Sequence, residues 1–164
     1  MKKILPHLAL AFISMGIGRL TPAPGTISSL LALCLAWCIP TTNFYIALPI
    51  LLIGLTIISL IAINIHLTFA NPTKDPGYIV IDECIGMWIA LLISPLGLIW
   101  QSIAFVFFRV LDIKKPGIIG YVDGLSYKNT FQHSIIIIAD DVVAGIIAGG
   151  LTTLIKIIYH YWQF

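Results

Sequence analysis

The sequence predicts an all-α fold: a polytopic membrane bundle of about five spanning helices plus an N-terminal re-entrant or interfacial helix, all in one domain over residues 1–164. Three observations predict it. The 164 residues are 59% hydrophobic and 10% charged, with a mean hydropathy of +1.03, so the chain lacks the polar surface that a soluble domain needs. Apolar runs recur at 4–18, 27–40, 44–63, 79–94, 98–111 and 134–159. The connections between them alternate between neutral and charged. No Ser/Gly-rich linker, low-complexity tract or internal repeat divides the chain.

The first run, 4–18, follows Lys2 and Lys3 and precedes Arg19 and the turn T-P-A-P-G-T at 21–26. Basic residues at both ends favour one side of the membrane, which predicts a helix that enters without crossing. The run also has the outline of a signal peptide, but no A-x-A-like cleavage site follows it, so it is kept in the mature chain. Pro22, Pro24 and Gly25 then break the helix, and Thr26 or Ser28 is placed to cap the next one. At 1.5 Å per residue the 44–63 run reaches roughly 30 Å, enough to cross a bilayer core, whereas 27–40 and 98–111 reach only about 21 Å. Such short helices imply local thinning of the bilayer or a polar cavity. The connections at 41–43 and 94–97 carry no charge, whereas 64–78 and 112–133 hold Lys74, Lys114, Lys115 and Lys128. Two hairpins, 27–63 and 79–111, with their open ends in the cytoplasm and a last span 134–159 running outward satisfy that asymmetry. The aromatic end Y-H-Y-W-Q-F at 159–164 suits an outer interfacial belt.

Of the seven acidic residues, five sit at or just inside predicted helix ends on one face: Asp82, Glu83, Asp112, Asp140 and Asp141. Neighbours on a helix differ by about 100° in direction, so D-E and D-D pairs spread two carboxylates while keeping both within reach of one cation. Like charges near low dielectric require compensation, and oxygen-only ligands suit a hard ion, Mg²⁺ ahead of Ca²⁺ or Mn²⁺. The plainer reading pairs each acid with a basic residue or a helix start. It is weakest for Asp140 and Asp141, which lie inside S-I-I-I-I-A-D-D-V-V-A-G with no base within a turn. Arg109 and Asp112 share one helix face at i, i+3. They read either as a simple ion pair or as a phosphate fork beside a further metal ligand, with Lys115 as a nearby point charge. Gly145 and Gly149, with Ala144 and Ala148, form a small-residue stripe that favours close helix approach, and Gly86 offers the same closeness from the 79–94 run.

Several chemistries are excluded. There is no block of like charge for nucleic acid, no C-x₅-R loop, no D-x-D-x-T/V motif, no G-x-S-x-G elbow and no Walker A sequence. Cys34, Cys38 and Cys84 have neither disulfide nor zinc spacing and read as small core residues. His7, His66, His133 and His160 are scattered and read as interface residues, with His133 placed to assist as a base.

Taken together, G-I-G-R-L-T-P-A-P-G-T-I-S-S-L (16–30), K-D-P-G-Y-I-V-I-D-E-C-I-G-M-W-I (74–89), F-R-V-L-D-I-K-K-P (108–116) and A-D-D-V-V-A-G-I-I-A-G (139–149) resemble the phosphatidylglycerophosphatase A family. The strings stand in the family's order and span nearly the whole chain. The resemblance implies a bacterial inner-membrane, Mg²⁺-dependent lipid phosphatase that converts phosphatidylglycerol phosphate to phosphatidylglycerol and phosphate, with its active site facing the cytoplasm. It implies catalytic roles for Asp82, Glu83, Asp112, Asp140 and Asp141, and metal ligation by Asp82, Glu83, Asp140 and Asp141. Arg109, Lys115 and Thr26 would bind the substrate phosphate. The chain departs from the family pattern at Ile118, at Gly124 and in Q-H-S-I-I-I-I before the D-D pair, all within 112–138. On the residues alone two other classes stay open: a small ion or proton carrier, which would spread its acids through the bilayer depth, and an assembly factor, which would need no metal.

Overall fold

A computed structural model describes residues 4–19, 21–70 and 76–163. Lys2, Lys3 and Lys74 lie outside the described residues. Within them the fold is all-helical: α1 (Ile4–Ile13), α2 (Pro24–Trp37), a 3₁₀ turn at Thr41–Asn43, α3 (Phe44–Ala70), α4 (Ile81–Ile93), α5 (Leu98–Lys114), α6 (Ile118–Asp123) and α7 (Thr130–Tyr161). Two stretches, Thr41–Phe69 and Thr130–Tyr161, are long and apolar enough to cross a membrane. Large apolar side chains stand exposed along the outer faces, among them Ile46, Ile50, Ile53, Ile57 and Ile61 of α3. That is the pattern of a surface solvated by lipid.

The packing is set by small residues. A Cβ on Gly145 would fall 2.3 Å from the Gly86 carbonyl oxygen, and one on Gly149 would fall 2.8 Å from that of Ala90. Thr153 Oγ1 then donates to the Ile93 carbonyl at 2.7 Å. Gly86, Ala90 and Ile93 thus meet Gly145, Gly149 and Thr153 in rising order, so α4 and α7 lie parallel with their backbones nearly touching. The expected small-residue stripe is this interface.

Helix α2 is also parallel to α4. Ser28 Oγ donates to the Val80 carbonyl at the start of α4, and Trp88 Nε1 donates to the Ala32 carbonyl at 2.9 Å one turn on. Helix α5 runs the other way, since Trp37 at the end of α2 donates to Gln101 Oε1 near the start of α5, and Ser29 near the start of α2 meets Arg109 near its end. The 79–111 hairpin, α4 followed by α5, therefore holds for direction. The 27–63 hairpin misses the partner, because α2 packs chiefly on α4 rather than on its sequence neighbour α3.

Other expectations are corrected. The second helix begins at Pro24, not at 27: proline suits the first helical position, where no N–H is required, and Thr26 and Ser28 lie inside the helix rather than capping it. The 112–133 connection contains α6 and the first turn of α7, which Asn129 caps through its side chain on Gln132 N. Cys84 is buried as expected, whereas Cys34 in α2 and Cys38 just past its end lie exposed. His66 and His133 are buried rather than interfacial.

Candidate active site

Three helix ends and the flank of a fourth helix meet at one end of the bundle. The first turn of α4 carries Asp82 and Glu83, the first turn of α2 carries Gly25, the last turns of α5 carry Arg109 and Asp112, and α7 presents Asp140 and Asp141. The start of α4 is anchored by Val80, whose N–H donates to the Ile13 carbonyl at 2.9 Å while its own carbonyl accepts from Ser28. Asp82 Oδ1 accepts the Glu83 N–H at 3.2 Å, using one of the unpaired donors at that helix start.

Carboxylate oxygens of Asp82, Glu83 and Asp141 lie within 4.8 Å of one another. Asp82 and Asp141 are buried, and Glu83 is half-buried. Two of their buried oxygens, Glu83 Oε2 and Asp141 Oδ1, have no hydrogen-bond partner. Buried acceptors are normally satisfied, and ionised carboxylates this close repel one another by roughly 3 kcal/mol or more per pair at an effective dielectric of about 20. A hard cation at the convergence point would answer both facts, so the donor set fits a divalent ion of the Mg²⁺ type.

The other predicted residues surround this trio. Arg109 Nη1 donates to Asp112 Oδ2 at 2.5 Å and to Ser29 Oγ at 3.2 Å, while its Nε is buried without a partner. The Arg109–Asp112 ion pair is thus real, and it leaves the guanidinium a donor in reserve. Lys115 Nζ reaches Asp140 Oδ2 at 2.7 Å and Asp123 Oδ1 at 2.6 Å. Asp140 stands outside the trio and meets Lys115 instead. Lys115 itself takes a left-handed conformation, φ 43°, as α5 ends ahead of Pro116, and this turns the chain into α6.

A cavity of about 270 Å³ opens over these groups, lined by Asp82, Glu83, Arg109, Asp112, Lys115, Asp140 and Asp141. Sequence reasoning missed part of its wall. Asp123, at the end of α6, lines the cavity through its bond to Lys115, and Tyr127 lies flat on the buried His133 ring, centroids 3.9 Å apart at an interplanar angle of 4°. In sequence these residues fall in what reads as a loop, and no spacing signal marks them. Thr26 is absent from the cavity wall, and its neighbour Gly25 is the residue that matters: a Cβ there would fall 2.1 Å from Glu83 Oε1 and 3.1 Å from Arg109 Nη2. Glycine is what lets α2 approach the acidic group.

Comparison with known proteins agrees with the geometry. The family profile "Phosphatidylglycerophosphatase A" matches residues 11–156. A phosphatidylglycerophosphatase A of Escherichia coli K12 is 35% identical, over 92% of this chain and 82% of the relative. One from Haemophilus influenzae Rd is 32% identical, over 99% of this chain and 96% of the relative. No solved structure gives a significant match. On the length of the match and on both relatives, the chain belongs to the phosphatidylglycerophosphatase A family.

Proposed function

We propose that this protein hydrolyses phosphatidylglycerol phosphate to phosphatidylglycerol and inorganic phosphate with Mg²⁺ as its cation. The convergence of Asp82, Glu83 and Asp141 with unpaired buried oxygens, in a chain of this family, is the observation that carries it. Asp82, Glu83 and Asp141 would hold the ion. When bound there, Mg²⁺ would supply charge neutralisation and Lewis-acid polarisation of the phosphate oxygens.

The remaining steps belong to the chain. Arg109 offers its unpaired Nε, and its Nη groups by exchange with Asp112, to the non-bridging oxygens of the phosphomonoester. Lys115 adds a second positive charge as the phosphate competes with Asp123 and Asp140 for its ammonium. Asp112 keeps the guanidinium aimed, and Asp140 keeps the ammonium aimed. The ester P–O bond breaks, its electron pair leaves on the glycerol oxygen, and that oxygen takes a proton. The new P–O bond derives from water, by direct attack or through a carboxylate of the acidic group.

The protein sits as a single domain over residues 1–164 in the bacterial inner membrane, with five spanning helices, α2 to α5 and α7. Helix α1 is interfacial or re-entrant. The last twenty residues of α7, Val142–Tyr161, reach about 30 Å, so the acids on α7 sit at the edge of the hydrocarbon. The neutral turns at 41–43 and 94–97 face outward, and the site faces the cytoplasm. A substrate with its acyl chains in the inner leaflet then presents its terminal phosphate to the cavity.

The test is phosphate release from phosphatidylglycerol phosphate by purified protein in detergent. Turnover is expected with Mg²⁺, with loss on EDTA and recovery when Mg²⁺ is returned. Turnover indifferent to EDTA would remove the cation from the reading, and no turnover in any condition would remove the activity.

A further inference from the structure

Phosphatidylglycerol phosphate carries two phosphates, the terminal monoester and, one glycerol away, the diester that joins the headgroup to diacylglycerol. The site described above accounts only for the monoester. A second groove of about 300 Å³ adjoins it, lined by Leu125, Ser126, Lys128, Gln132, Ile135 and Ile136. Ile136 lines both spaces. The chain alternates between them: Tyr127 and His133 face the catalytic cavity, while their neighbours Ser126, Lys128 and Gln132 face the groove. The Tyr127–His133 stack is therefore the partition between the two.

The groove has the chemistry of a lipid phosphodiester site. Among the described residues Lys128 has no ion-pair partner, although six carboxylates line the cavity next door. Its backbone is fixed, because the Lys128 N–H donates to Gln132 Oε1 at 2.8 Å and the Gln132 N–H donates to Asn129 Oδ1 at 2.8 Å. With Oε1 committed to the backbone, the Gln132 amide keeps its NH₂ donors for a ligand in the groove. Ile135 and Leu125, both exposed, line the groove beside these polar groups.

On the reading that the substrate is phosphatidylglycerol phosphate, we propose that this groove binds its internal phosphodiester. Lys128 supplies the charge, Ser126 and the Gln132 amide supply hydrogen bonds, and the headgroup glycerol crosses the Tyr127–His133 partition. The groove selects lipids with a second phosphate over those with one.

The test uses Lys128→Ala and Lys128→Glu in the full-length protein, with Lys114→Ala as a control at an exposed lysine that lines neither space. KM for phosphatidylglycerol phosphate and the inhibition constant of phosphatidic acid, a lipid with one phosphate, are both measured. One charge-assisted hydrogen bond lost predicts a KM rise of roughly tenfold for Lys128→Ala and more for Lys128→Glu, with kcat little changed. Phosphatidic acid should inhibit all forms within about twofold of the unmodified protein. An unchanged KM in both Lys128 variants overturns the groove assignment alone. So does a parallel weakening of phosphatidic acid, which would mean general attraction of anionic lipid. No turnover by the unmodified protein would overturn the phosphatidylglycerophosphatase reading, and this assignment with it.

Discussion

Gly25 shows how tightly single residues are placed. The space a methyl group would need is taken by Glu83 Oε1, and Arg109 Nη2 lies just beyond it. Gly25→Ala should leave the fold intact, because Glu83 is a flexible side chain and alanine favours the helix, but it pushes the carboxylate out of the acidic trio. A displacement of about 1 Å in such a site costs roughly a hundredfold. We expect kcat/KM to fall by about that factor with the thermal unfolding midpoint preserved, as read by parallel kinetics and unfolding in detergent. Full activity would detach Gly25 and Glu83 from the chemistry. Asp141→Asn keeps the shape of its side chain and removes one charge from the trio. It should lower kcat at least about a hundredfold, because Lewis-acid stabilisation contributes several kcal/mol and each 1.4 kcal/mol is a factor of ten. Residual activity near that of the unmodified chain would show that the trio does not hold the working cation.

At the scale of elements, α4 against α7 is the structural spine, and its geometry depends on glycine. Gly145→Val would drive a branched side chain into the Gly86 carbonyl, where backbone on both sides has no room to yield. A loss of about 1–3 kcal/mol or more is expected by denaturant or thermal unfolding. Gly54→Ala and Gly150→Ala are the matched controls, since nothing lies within 4 Å of a Cβ at either position, and there the helix should gain about 0.5–1 kcal/mol. Equal losses at all three sites would dismiss close backbone contact as the cause. The stripe is legible in sequence because small residues four apart on an apolar helix have few other uses. Helix α6 is not, because Ile118–Asp123 is too short for a periodic signal, and what folds it is the reversal at Lys115 and the bond from Asp123 to the lysine. For the same reason Asp123 and Tyr127 escaped sequence reasoning, whereas the acids of α4, α5 and α7 stood out as charges in apolar runs.

For the whole molecule, direction explains where the site is. Helices α2, α4 and α7 run in parallel and α5 runs back, so the starts of α2 and α4 and the end of α5 gather on one side. Sequence gave the directions through the alternation of neutral and lysine-bearing connections. It could not give the neighbours, since α2 packing on α4 depends on surface shape that no periodicity encodes. Orientation is open to test. In a chain with Cys34 and Cys38 replaced by Ser, Thr42→Cys should react with a membrane-impermeant maleimide on intact cells, and Lys128→Cys only after permeabilisation. The opposite pattern would invert the topology. The one-sided acids also separate this site from a conduction path, which needs charge through the bilayer depth.

If Asp82, Glu83 and Asp141 together hold a divalent cation, Mn²⁺ binding followed by electron paramagnetic resonance reads it apart from catalysis. The unmodified protein should bind Mn²⁺ in competition with Mg²⁺, Glu83→Gln and Asp141→Asn should lose that binding, and Asp123→Asn, outside the trio, should retain it. Equal binding by the unmodified chain and the two trio variants, or no binding by the unmodified chain, would contradict the account.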